Sequence, residues 1–219
     1  PDMSPFRLMS LALRHPDAGL LALRADLARE AAALPPSPAG PPLRRFMAWW
    51  RAAAGPELAR HYVATFDLSR RTPLDLTYYT HGDRRQRGLA LLDLRRRYAR
   101  AGLELDTGEL PDHLPVVLEF AALAPEAGGA LLAGMRPSIE VLRLGLERAG
   151  SPYADLLLAL CLTLPALQDD EAAEVARLAL EGPPVESVGL EPFAPPEVMP
   201  DPVRRAPAAC GAPPGRSVA

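Results

Sequence analysis

Helix-length segments, in which apolar residues recur three or four positions apart between prolines and glycines, cover most of this sequence. Alanine, leucine and arginine dominate these segments, and all three residue types favour helix. Isoleucine occurs once, at Ile139, and no alternating run of β-branched residues predicts a strand. The sequence therefore predicts an all-α fold, a compact single-domain bundle of about nine to eleven helices at ordinary helix and loop lengths.

Two helices near the end of the bundle have boundaries that can be predicted from single residues. Ser151 is predicted to be an N-cap residue, with Pro152 at the first helical position. The next helix has Asp169 and Asp170 in its first turn and ends at Gly182, an arrangement that the helix dipole favours. Both patterns are typical of isolated, well-defined helix ends.

Proline becomes frequent after Gly182, and no packed helix is compatible with that density. We predict three parts along the chain. Residues 1–181 form the all-helical domain, residues 182–193 form an extended C-terminal arm that packs on it, and residues 194–219 form a Pro-rich, disordered tail.

The amino-acid inventory excludes several functional classes. Lysine is absent, so all 24 basic residues are arginine, and a phosphate-loop lysine, a Schiff base or a protein kinase site is excluded. Cys161 and Cys210 are too few for a zinc cluster or a disulfide framework, and no pair of histidines has helical ligand spacing. No nucleophile stands in a recognisable motif beside His81. We expect no catalytic residue, no metal and no enzyme activity.

The location of the protein is predicted from its apolar segments and its charge. The longest apolar run, residues 156–164, ends at Pro165 and is much shorter than a membrane span. The first residues lack the long apolar core of a signal peptide. The net charge of −3 does not favour nucleic acid as a partner. We therefore expect a cytoplasmic protein without direct membrane insertion and without nucleic acid.

The segment YYTHGDRRQRG, residues 78–88, carries a histidine, an aspartate and three arginines. Asp83 and Gln86 have the spacing of a capping box at a helix start. Arg84 and Arg87 lie in the predicted first turn, where the helix dipole is already positive. Cations are disfavoured at this position, and such an exception often marks a functional site. Two interpretations stay open: a capped surface helix, or an anion or partner contact made by Asp83, Arg84 and Arg87.

An acidic segment follows. Residues 101–135 contain no arginine but six acidic residues. Within this segment, Asp112 is predicted to cap a helix that has Pro115 in its first turn, and to share one stripe of that helix with Glu119. Two interpretations stay open here too. The segment is either a solvated acidic face or a groove with apolar walls and an acidic rim, suited to a peptide that carries arginine or lysine.

Two stretches resemble the NarJ type of respiratory nitrate reductase assembly chaperone, within the wider TorD-like redox-enzyme maturation chaperones: HYVATFDLSRRTPLDLTYYTHGDRRQRGLALLDLRRRYARAGLEL and ELPDHLPVVLEFAAL. The resemblance is dense over residues 61–123 and extends more weakly over residues 6–193. It departs from the family pattern at Pro73 and Asp75, which stand in a stretch that is more apolar in the family.

The resemblance implies a non-enzymatic, all-helical, peptide-binding chaperone with a role in nitrate assimilation. Such chaperones bind the N-terminal segment of the apo catalytic (alpha) subunit of nitrate reductase. They hold that subunit until the molybdenum cofactor and an iron–sulfur cluster are inserted, before membrane attachment. The chaperone itself is expected to need no cofactor. Its expected partner is the catalytic subunit, and molybdenum cofactor delivery proteins are further candidates.

The resemblance also implies a binding site. In the wider family, the segment that matches residues 109–113 is associated with signal-peptide binding, and the segment that matches residues 76–82 lies nearby and contributes aromatic contacts. The peptide-binding residues predicted in this way are Tyr78, Tyr79, His81, Glu109, Pro111, Asp112, His113 and Glu119.

Three alternatives stay open at this point: a plain helical scaffold, which would bind neither peptide nor ligand, and two proteins with a different ligand. One is a chaperone of another molybdoenzyme of the same class, which would differ only in the peptide that it binds. The other is a nucleotide- or molybdopterin-binding helical protein that uses the helix start at Arg84–Arg87 as an anion site.

Overall fold

The computed structural model describes residues 3–82, 85–105, 108–182 and 184. This part of the chain contains twelve α-helices and one π-helical turn, Val63–Asp67. The helices are α1 (Pro5–Ala12), α2 (Ala18–Ala22), α3 (Arg24–Ala33), α4 (Gly40–Ala52), α5 (Gly55–Tyr62), α6 (Thr77–His81), α7 (Arg85–Arg100), α8 (Leu114–Leu123), α9 (Pro125–Gly134), α10 (Arg136–Arg148), α11 (Tyr153–Thr163) and α12 (Asp169–Glu181).

The all-α prediction is confirmed for these residues, whose one β-type pairing is an isolated bridge. The helix count is higher than the predicted nine to eleven. The difference arises because α2 and α6 are only five residues long, shorter than the periodicity of a sequence can reveal. All twelve helices lie in one unit, Pro1–Glu186, and residues 187–219 lie outside the described residues.

Two nearly apolar helices organise the packing. Helix α8 packs between α1 and α9, and helix α11 packs between α4 and α10. Both helices bury residues on most of their surface, which matches the apolar runs LPVVLEFAAL and YADLLLALCLT. Helix α12 packs on α10, and α3 packs on α4. Helix α7 packs mainly on α6, so most of its arginines face outward.

A cluster of aromatic residues surrounds Tyr153, which is fully buried. Phe66 lies 4.8 Å and Phe46 lies 5.2 Å from the Tyr153 ring, measured between ring centroids. His61 stacks on the same ring at 5.9 Å, and its Nε2 lies 2.9 Å from the Ser151 hydroxyl. Burial lowers the pKa of His61, against a smaller opposing effect of Glu57. His61 is therefore a half-buried histidine that packs against the aromatic cluster.

The helix boundaries agree with the sequence at some positions and not at others. Helix α12 begins at Asp169, with the capping box of Gln168 and Glu171, and is followed by Gly182 as predicted. Helix α11 begins one residue later than predicted, because Pro152 is its N-cap residue and the Ser151 hydroxyl contacts His61 instead of a helical amide. The predicted cap at Asp83 lies outside the described residues.

Gly82 ends α6 in a conformation that only glycine tolerates well. Its φ angle is +57°, and a Cβ at this position would lie 1.8 Å from the carbonyl oxygen of Pro184. The chain at Pro184 therefore passes directly beside the end of α6. The other residues of the predicted arm, 183 and 185–193, lie outside the described residues, as does the predicted tail.

The contact between α8 and α9 gives a first prediction. A Cβ at Gly128 would lie 2.3 Å from the Ala121 Cα, and neither backbone can move away without separating the two helices. Gly128→Ala is therefore expected to lower the free energy of unfolding by about 1–3 kcal/mol. The neighbouring Gly129 has open space at its Cβ position, so Gly129→Ala is expected to raise it by about 0.5–1 kcal/mol. Urea unfolding of the two variants checks the pair, and changes of the same sign would contradict the close contact.

Candidate functional site

The two motifs that the sequence singles out lie side by side in the structure. The Leu76 amide donates to the Asp112 carbonyl at 3.1 Å, and Asp75 and His113 form an isolated antiparallel bridge. This pairing joins the loop before α6 to the loop before α8. The adjacency of these two segments, implied by the family resemblance, is confirmed.

Asp112 is fully buried where the two segments meet. Its Oδ2 accepts hydrogen bonds from the Thr77 amide at 3.1 Å and from the Thr77 hydroxyl at 2.5 Å. The Arg87 guanidinium donates to the same oxygen at 3.4 Å. The other oxygen, Oδ1, is buried without a hydrogen-bond partner among the described residues. Asp112 thus holds the first turn of α6 and one end of the Arg87 side chain.

Two sequence predictions about Asp112 are therefore wrong. Helix α8 begins at Leu114 with His113 as its N-cap residue, so Asp112 lies before the helix and shares no helical stripe with Glu119. The Asp112 carboxylate does not cap α8, because it points to α6. A fully buried carboxylate also cannot lie on the rim of a groove, so in this conformation Asp112 would not touch a bound peptide.

A cation at the start of a helix is unfavourable, and for Arg87 at the start of α7 contacts with carboxylates offset this cost. Its Nε donates to the Thr77 hydroxyl and its Nη2 donates to Asp75 Oδ2, both at 3.2 Å. The guanidinium also lies 5.8 Å from the centre of the Tyr78 ring, within the range of a cation–π contact. Since its side chain is only 17% exposed, Arg87 neutralises an internal cluster.

The anion-site alternative is weakened by this arrangement. The Arg87 guanidinium is engaged with Asp75 and Asp112 and is not open to an anion. Arg85 is exposed at the start of α7, whereas Asp83 and Arg84 lie outside the described residues. No described residue of this helix start therefore supports a built anion pocket.

Asp75 connects the Arg87 cluster to His113. His113 Nδ1 lies 3.1 Å from Asp75 Oδ1, and His113 Nε2 lies 4.0 Å from the Glu109 carboxylate. Burial raises the pKa of Asp75, but the hydrogen bond and charge of His113, together with Arg87, outweigh it and leave that pKa below its ordinary value. Asp75 is therefore ionised at neutral pH. The sequence marked Asp75 only as a departure from the family pattern.

The remaining predicted residues divide by exposure. Tyr79 is 1% exposed, and its hydroxyl donates to the Pro73 carbonyl at 2.9 Å. Pro111 is buried, and its carbonyl accepts a hydrogen bond from the Tyr98 hydroxyl at 2.5 Å. These two residues are therefore internal and do not offer their side chains to a ligand. The predicted residues with exposed or half-buried side chains are Tyr78, His81, Glu109, His113 and Glu119.

Three of these residues open into one cavity, which we name the acidic cavity. It has a volume of about 450 Å³ and is lined by Ser10, Arg14, His15, Asp17, Tyr62, Asp67, Gly108, Glu109, His113, Pro115, Val116 and Glu119. Carboxylates outnumber the bases on its wall. The sequence did not reveal Asp17 or Asp67 as part of it, because both lie far from the acidic segment. In the structure, Asp67 ends the π-helical turn, a type of element that is frequent at functional sites.

A second cavity adjoins the first along α8, and we name it the apolar cavity. It has a volume of about 230 Å³ and is lined by Tyr98, Leu103, Glu104, Leu105, Val116, Glu119, Phe120 and Leu123. Val116 and Glu119 line both cavities. We name the two cavities together the groove. Its acidic end and its apolar end are therefore neighbours on one helix.

Two negative findings hold for the part of the chain that the structure describes. No group of three or more histidine, cysteine, aspartate or glutamate side chains there is placed to hold a metal ion. None of the described helices has both the length and the apolar composition needed to cross a membrane.

Comparison with known proteins places the chain in a family. Residues 32–159 match the family described as nitrate reductase delta subunit. The chain belongs to this family. The matched range contains α4 to α10 in full, and with them the Asp75–His113 bridge and the Arg87 cluster. Helix α1, which contributes Ser10 to the acidic cavity, lies outside the match.

Individual relatives in this family agree with the match. The chain is 45% identical over 127 residues to the nitrate reductase-like protein NarX of Mycobacterium tuberculosis (strain H37Rv). The aligned region covers 58% of this chain and 20% of NarX. It is 39% identical over 127 residues to the probable nitrate reductase molybdenum cofactor assembly chaperone NarJ of Bacillus subtilis. That alignment covers 57% of this chain and 69% of the B. subtilis protein. It is 40% identical over 117 residues to the nitrate reductase molybdenum cofactor assembly chaperone NarJ of Escherichia coli K12. That alignment covers 52% of this chain and 49% of the E. coli protein. The matched region is thus a fifth of NarX and about half of the E. coli protein.

Proposed function

We propose that this protein is a system-specific assembly chaperone. It binds the N-terminal segment of the apo catalytic subunit of respiratory nitrate reductase. It holds that subunit competent for insertion of the molybdenum cofactor and an iron–sulfur cluster, before membrane attachment. Membership of the nitrate reductase delta subunit family, and the assembly role named for relatives in B. subtilis and E. coli, support the chaperone part of the proposal.

One observation carries the peptide-binding part, namely that an acidic and an apolar cavity adjoin along α8. A basic amphipathic segment has the complementary pattern, with cations and apolar side chains close together in its sequence. The carboxylates of the acidic cavity would steer and orient such a segment, and the apolar cavity would supply the buried area that gives affinity. A plain helical scaffold has no need of this juxtaposition.

Calorimetric titration tests the proposal with a synthetic peptide that matches the N-terminal segment of the partner nitrate reductase catalytic subunit. The expected dissociation constant is about micromolar or tighter. Binding is expected to weaken at high salt, because charges that are exposed to solvent are screened. The same peptide with each arginine and lysine replaced by glutamine is expected to bind much more weakly.

A matched pair of variants locates the site. Asp67→Asn removes one exposed carboxylate of the acidic cavity and is expected to weaken binding about twofold to fivefold. Asp170→Asn removes an exposed carboxylate of α12, which lines neither cavity, and is expected to leave the affinity unchanged. If a folded wild-type protein does not bind the peptide at either salt concentration, the peptide-binding proposal is wrong.

A further inference from the structure

Among the carboxylates that line the groove, Glu119 has a unique position. It lines both cavities, whereas Asp17, Asp67 and Glu109 line only the acidic one and Glu104 lines only the apolar one. On α8 it stands beside Phe120 and close to Val116, so its carboxylate borders an apolar wall. A charge-assisted hydrogen bond is stronger beside apolar groups than in open water. Glu119 is therefore the best-placed carboxylate to hold a cation whose neighbours are apolar.

In the structure this carboxylate already holds a cation. Arg7 of α1 forms an ion pair with Glu119 across 112 positions of the chain. Both side chains are 40% exposed, so the pair is open to solvent and to a ligand. Ion pairs of this exposure contribute little to the stability of the fold, so another cation can replace Arg7 at Glu119 at little cost. The Arg87–Asp112 pair differs, because there the side chains are only 17% and 0% exposed.

We propose that Glu119 is the cation-recognition residue of the groove and that Arg7 occupies it only until a ligand arginine displaces it. This proposal rests on the proposed function. The ligand it defines is a peptide in which an arginine that binds Glu119 is next to an apolar residue that enters the apolar cavity. Arg7 then acts as a built-in competitor, which weakens binding of every such peptide by the same factor, so that only a peptide with the apolar neighbour keeps useful affinity.

The competitor role has an unusual consequence. Arg7→Ala removes a half-exposed side chain and is nevertheless expected to tighten binding of the peptide, by about threefold to fivefold. Glu119→Gln is expected to weaken binding about tenfold, because the ligand arginine loses its charged partner. With Glu119→Gln already present, Arg7→Ala is expected to change the affinity less than about twofold, because nothing remains to be uncovered. Calorimetric titration of the four proteins measures this cycle.

Arg14 provides the matched control. It lines the acidic cavity and is exposed, but it forms no ion pair with a described residue. Arg14→Ala therefore makes the groove more negative by one charge, as Arg7→Ala does, without uncovering a carboxylate. Its expected effect is less than about twofold. Equal tightening by Arg7→Ala and Arg14→Ala would show a general charge effect and would overturn the competitor role.

The outcomes separate this proposal from the proposed function. If wild-type protein binds the peptide and the Arg7 and Glu119 effects are additive, the competitor role is wrong and the chaperone function stands. If neither wild-type protein nor Arg7→Ala binds the peptide, both proposals are wrong. Urea unfolding of each variant verifies that it is folded, and a peptide with its arginines changed to glutamine is expected to lose the difference between wild-type protein and Arg7→Ala.

Discussion

Asp112→Ala is expected to lower the free energy of unfolding by about 3–5 kcal/mol, the cost of breaking a buried ion pair on one side. The Asp112 carboxylate is fully buried, and it receives two hydrogen bonds from Thr77 and one from Arg87. Its removal leaves a guanidinium that is 17% exposed with Asp75 as its one remaining carboxylate partner among the described residues. The Thr77 amide, at the first turn of α6, loses its acceptor as well.

Asp112→Asn removes the charge of the side chain but nearly keeps its shape, so it measures the effect of the charge alone. The amide oxygen can still accept from the Thr77 amide, but the charge opposite Arg87 is lost, so about 1–3 kcal/mol is expected. The control is Asp26→Ala, which breaks an exposed ion pair with Arg29 and is expected to change stability by less than about 0.5 kcal/mol. Urea unfolding with circular dichroism measures all three. A loss below about 1 kcal/mol for Asp112→Ala would show that this cluster does not hold the two loops together.

This stability effect also changes how the site can be tested. The sequence alone predicts that Asp112→Ala combined with His113→Ala affects peptide binding more than folding. For Asp112 itself we expect the opposite, because its carboxylate is fully buried, lines neither cavity and holds the first turn of α6. Weaker binding by an Asp112 variant would therefore not identify a contact. Variants of Asp67, Glu119 and Leu123 test the groove itself, because these residues line it and have exposed or half-buried side chains.

Local chemistry allowed part of the fold to be predicted. Apolar periodicity predicts the all-α class, and the first-turn acids of α12 predict where that helix begins, because both depend on residues within one or two turns. The Asp112 partners could not be predicted in this way. Thr77 is 35 positions away, and its contact depends on the isolated bridge between two loops. A bridge of one residue pair has no periodicity that a sequence could show.

The charge pattern indicates only some of the residues that line the groove. The arginine-free segment places acids beside apolar residues, and its Glu109 and Glu119 line the acidic cavity. The same cavity takes Asp67 from the π-helical turn and Asp17 from the start of α2, which no feature of the acidic segment indicates. Long-range packing of α1 on α8 also places Arg7 at Glu119. Side chains that converge from separate helices are visible only once the helices are packed.

Leu123→Arg is expected to weaken peptide binding by about thirtyfold to a hundredfold, the largest effect on function that a single exposed side chain of this protein should have. Leu123 lines the apolar cavity and is 60% exposed, so the fold does not depend on it. The substitution removes an apolar contact and puts a cation where a basic peptide must lie. Stability is expected to change by less than about 0.5 kcal/mol.

Leu123→Glu divides the effect into its two causes. It removes the same apolar contact but adds an anion, so attraction for the peptide offsets part of the loss, and about fivefold weakening is expected. Leu180→Arg is the remote control, because Leu180 is 84% exposed on α12 and lines neither cavity. Titration of the three variants distinguishes the possibilities. Equal losses for arginine and glutamate at position 123 would mean that the peptide contacts this wall through apolar atoms alone. No loss for either would mean that the apolar cavity is not part of the binding site, and the pairing of acidic and apolar ends on α8 would no longer support the proposed function.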